Sequence, residues 1–79
     1  MALKILKKKI NVIVEKTKTG FSAYAPGYPV ATTGRTIIEL QKNILEVLNF
    51  YFEDHGYSVN KSNIALQIDF QQFSSIIRF

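Results

Sequence analysis

The chain has 79 residues, a net charge of +4 and no cysteine, which allows one domain and excludes a disulfide framework or a thiolate metal site. Hydrophobic residues make up 47% of it, enough for a core and too many for a disordered segment. A domain of this length buries roughly 60% of the surface its unfolded chain exposes, so its stability is small unless a partner adds to it.

The N-terminal MALKILKKK carries only short apolar pieces between lysines. A signal peptide needs an apolar run of about 7–15 residues and a membrane span about 20, so a cytoplasmic protein without membrane contact is expected. Lys4, Lys7, Lys8, Lys9, Lys16 and Lys18 crowd the start, opposed there only by Glu15. Glu39, Glu46, Glu53 and Asp54 outweigh Lys42 further on, so a basic end and an acidic helix face are expected.

Ile10, Val12 and Val14 alternate with Asn11, Ile13 and Glu15, the period of a half-buried strand. KTKTG is a polar turn, and Phe21, Ala23 and Ala25 resume the alternation, completing a hairpin with Phe21 facing the core. Pro26 ends the second strand, Gly27-Tyr28-Pro29 turns, and residues 30–33 form a short third strand that Gly34 breaks. Thr36 and Glu39 form a capping box, the threonine accepting from Glu39 N–H and the glutamate reaching back to Thr36 N–H. Residues 37–54 then make one amphipathic helix, with Ile37, Ile38, Leu40, Ile44, Leu45, Val47, Leu48, Tyr51 and Phe52 on its apolar side. Gly56 stops it.

Ile64, Leu66, Ile68 and Phe70 alternate with Ala65, Gln67 and Asp69 as a fourth strand. Asp69 and Gln72 form a second capping box that opens a helical stub with Phe73, Ile76 and Ile77 at helical spacing. The stub lacks a packing partner, as in a truncated chain or a segment whose partner lies elsewhere. The fold class is thus α+β, a β-β-β-α-β order over one domain, 1–79, with its core between about residues 8 and 70. Strand four comes out parallel to strand one, and their full apolar faces make them neighbours in the centre of the sheet.

The stretch GFSAYAPGYPVATTGRTIIELQKNI, with Gly20, Phe21, Ala23, Pro26, Pro29, Thr32 or Thr33, Gly34, Thr36, Asn43, Ile44 and Glu46, resembles the HicB-like antitoxin domain. The likeness covers residues 10–54, and the element order extends it to about 70. Family members commonly carry an acidic-apolar pair between the prolines and Gly-Cys after the second, where this chain has Gly27-Tyr28 and Val30-Ala31. The resemblance implies a partial RNase H-like fold that binds and silences a small basic ribonuclease toxin of the HicA type, without chemistry or cofactor of its own. It also implies a homo-oligomer, with DNA bound only through a region outside this chain. The alternative is a homo-oligomerisation domain of a transcriptional regulator whose DNA-binding part is absent.

Glu39, Glu46 and Glu53 form an acidic line seven residues apart, which would steer a basic partner. The plainer reading, an ordinary solvated helix face, carries more weight because such lines are common. Tyr28 and Val30 are further candidate contacts, as apolar residues in a turn, although core packing suits them equally. Lys7, Lys8 and Lys9 could meet phosphates, but protection of a strand end from pairing is preferred. His55, the single histidine, suits a helix C-terminus. Glu15, Asp54 and Asp69 do not converge as two-metal hydrolysis requires, so no enzyme is expected.

Overall fold

Ile10, Val12 and Val14 point to one side of strand β2 (Ile10–Lys16), and each is at most 2% exposed. Their parity decides which face of the sheet takes the helix. The computed structural model describes residues 2–68. Strands β3 (Phe21–Tyr24) and β4 (Ala31–Gly34) follow β2 as an antiparallel meander. Helix α1 (Ile37–Glu53) crosses the sheet, and β6 (Ile64–Ile68) returns parallel to β2, pairing Ile10 with Ile64 and Val14 with Ile68. The order in the sheet is β4-β3-β2-β6. This is the expected α+β architecture, with one correction: β6 lies at an edge and not in the centre. Ile64, Leu66 and Ile68 are accordingly only half-buried, since nothing flanks them on the outer side among the described residues.

Leu40, Ile44, Leu48 and Phe52, four residues apart, form the buried line of α1. Ile38, expected on the apolar side, is 80% exposed. It projects to the flank of the helix, beside the short edge strand, where the sheet is too narrow to cover it. The helix begins at Thr36, whose Oγ1 accepts from Glu39 N–H at 3.1 Å. The Glu39 carboxylate accepts from Arg35 N–H at 2.9 Å, one residue before the expected Thr36 N–H. Thr36→Ala should cost about 1 kcal/mol and lower Tm by roughly 4–8 °C in a thermal melt. At the other end Gly56 takes φ +83°, the left-handed turn that stops the helix.

A second, two-stranded sheet was not foreseen. β1 (Lys4–Ile5) pairs in parallel with β5 (Tyr57–Ser58), straight after the helix. Asn63, 6% exposed and set in a single 3-10 turn (Lys61–Asn63), holds this addition in place. Its Nδ2 donates to Leu6 O at 2.8 Å and Lys8 O at 3.0 Å, while its Oδ1 accepts from Asn60 N–H at 3.0 Å. Asn49 similarly clamps Val59 through both backbone groups, donating at 2.8 Å and accepting at 2.7 Å. The end of the fourth strand beyond Ile68, the Asp69–Gln72 capping box and the helical stub lie outside the described residues.

Candidate functional site: the outer face of α1

Because one line of α1 is buried against the sheet, the positions half a turn away must face solvent. Glu39, Glu46 and Glu53 are all exposed there, as an acidic ridge along the helix. The structure adds a residue that the sequence reading passed over. Phe50 is 76% exposed and stands one turn after Glu46 and just under a turn before Glu53. Its signal was an aromatic residue on the polar side of the helical projection. An averaged amphipathic pattern conceals such a residue.

The exposed Lys42 interrupts the acidic line between Glu39 and Glu46, and two other polar neighbours have structural work. Asn43 Nδ2 donates to Thr33 O at 2.8 Å, tying the helix to β4, and Asn49 clamps Val59. Among the candidate residues the glutamates therefore share one surface. Tyr28 and Val30 do not join them. Val30 is 9% exposed and part of the core, so it is no surface contact. Tyr28 is half-buried at the far end of the helix, its ring 5.8 Å from Tyr51 and 5.4 Å from Phe52 between centroids. Lys8 Nζ sits 5.5 Å from the Tyr28 ring centre. The Tyr28 oxygen, chiefly as a hydrogen-bond acceptor, raises the Lys8 pKa above its ordinary value.

His55 takes the expected capping place. Its Nδ1 lies 3.1 Å from Tyr51 O, so this nitrogen carries the proton and donates. Glu15 lies on the outer sheet face, Asp54 caps α1, and Asp69 falls outside the described residues.

On the other flank of α1, an open groove of about 440 Å³ separates Ile38 and Leu45 from Ile64 and Leu66, with Lys42 and Lys61 at its rim. The exposed Ile38 makes this groove continuous with the outer helix surface. No helix among the described residues is long and apolar enough to cross a membrane. Compared with family models, curated proteins and solved structures, the chain matches none.

Proposed function

We propose that the chain is a non-catalytic protein-binding module of the antitoxin type, whose outer α1 face covers a small basic ribonuclease of the HicA type. The observation that carries this reading is Phe50, 76% exposed between the exposed Glu46 and Glu53. An exposed aromatic side chain costs solubility, and in an interface it fills a partner's pocket as an energetic anchor. Carboxylates around it speed encounter with a basic surface and reject acidic ones. The partner class comes from the HicB-like resemblance of residues 10–54. Silencing would occur by occlusion, with no bond made or broken by this chain.

The test co-expresses the chain with the reading frames that neighbour it and measures RNA cleavage by the co-purified partner. Phe50→Ala should weaken silencing at least 30-fold, the loss of an anchor worth about 2 kcal/mol. The double reversal E46K/E53K should slow association most at low salt. If both variants silence as well as the parent, this face is not the binding surface. The exposed Ile38 beside its apolar groove favours a second reading, homo-oligomerisation. Under that reading Ile38→Glu lowers the sedimenting mass, while Phe50→Ala does not.

A further inference from the structure

The pairing of β1 with β5 carries the N-terminal lysines to the C-terminal end of α1, where they meet aromatic rings. An open groove of about 860 Å³ lies there, lined by Lys4, Lys7, Lys8, Tyr51, His55 and Tyr57 together with apolar side chains. This volume is within the range of ligand clefts, about 300–1,000 Å³. No carboxylate among the described residues lines it. Lys4, Lys7 and Lys8 are exposed, whereas Tyr51 and Tyr57 are half-buried against the core and so fixed in place. The His55 ring is tilted 35° over Tyr51 at 4.7 Å between centroids, which extends the aromatic surface outward.

We propose that this groove binds single-stranded nucleic acid, with phosphodiesters on Lys4, Lys7 and Lys8 and bases against Tyr51, His55 and Tyr57. The chemistry is that of sequence-tolerant strand binding: cations track the backbone while fixed rings stack bases. Lysines projecting alone would equally suit an anionic lipid surface. The half-buried rings decide for the strand, because a base can enter the groove edge-on and a flat headgroup layer cannot. The proposal is independent of the antitoxin reading, which uses the outer face of α1.

Fluorescence anisotropy of labelled short oligo-uridylate and oligo-thymidylate against the full chain tests it. With three phosphates neutralised and a slope of about −0.7 for each, a fivefold rise in salt should weaken binding by about 30-fold. K4Q/K7Q should cut affinity at least tenfold and bring the slope to about −0.7. His55→Ala should weaken binding without changing the slope, since it removes stacking and no phosphate contact. K18Q/K42Q, which removes the same charge elsewhere, should leave binding unchanged. The proposal is overturned if the oligonucleotides fail to bind at low salt, or if K18Q/K42Q weakens binding as much as K4Q/K7Q. Vesicles containing anionic lipid, offered in parallel, would overturn it if they bind the chain and the oligonucleotides do not.

Discussion

Gly34→Ala should remove about 3 kcal/mol or more of folding stability, a cost at the upper end of overpacking effects. A Cβ at this position would lie 2.6 Å from Leu40 N and 2.7 Å from Leu40 Cα. Both atoms are helix backbone, so no rotamer change relieves the contact. The helix would have to lift from β4, and Leu40, 0% exposed, would lose its packing. A chain of this length has a total stability of roughly 4–12 kcal/mol, so the variant should be largely unfolded or melt far below the parent. Gly27→Ala supplies the comparison. Gly27 has φ +90° and nothing within 4 Å of an added Cβ, so only the backbone penalty of roughly 1–2 kcal/mol for a left-handed L-residue applies. Equal midpoints for the two variants in urea would mean that the helix does not rest on Gly34.

Asn63→Ala should cost about 2–4 kcal/mol, because it leaves the carbonyls of Leu6 and Lys8 and the N–H of Asn60 without their side-chain partner. The Leu6 contact is buried and cannot be replaced by water without opening the structure. Loss of this amide should also free the N-terminal strand, visible as faster hydrogen exchange at Lys4 and Leu6, whose N–H groups donate to Gly56 O at 2.9 Å and to Ser58 O at 3.0 Å. N63D keeps the acceptor and loses both donors. Its carboxyl would face two carbonyl oxygens, which raises its folded pKa above the unfolded value. The protonated form is then favoured by folding, so N63D should be most stable in acid and lose stability as pH rises through its folded pKa. Unchanged melting of Asn63→Ala would show that the N-terminal strand is held by other contacts.

The parts of this fold that were legible in the sequence are those where local chemistry and tertiary packing agree. Ile10, Val12 and Val14 announce a strand by parity, Thr36 marks the helix start, and Gly56 marks its end. Gly34 could be seen as an interruption, but its cause was not visible. Gly34 is in fact the last paired residue of β4, opposite Phe21, and a side chain there would run into the Leu40 backbone, a tertiary fact. β1 and β5 contain only two residues each, too few for any period to register. Their clamp, Asn63, bonds to residues more than fifty positions earlier.

The candidate site divides along the same line. The acidic spacing of Glu39, Glu46 and Glu53 follows from helical geometry and was readable. Phe50 and Ile38 broke the pattern in opposite directions, one an apolar residue among the polar ones and one an apolar residue left uncovered. Val30 was ambiguous because a turn residue and a core residue look alike until the Ala25–Val30 pairing closes the loop, with Ala25 N–H donating to Val30 O at 3.3 Å. Lys7, Lys8 and Lys9 read as edge protection, and the pairing of Lys4 with Tyr57 just before them was not visible in the sequence.

The most direct test of the central claim is amide hydrogen exchange on the full chain, free and bound to the partner that co-purifies when the chain is co-expressed with its neighbouring reading frames. Added protection is expected along α1, greatest between Glu46 and Glu53, with the β4 edge and the N-terminal groove unchanged. Protection confined to the β4 edge or to the groove lined by Lys4 and Lys7, with α1 unaffected, would contradict it.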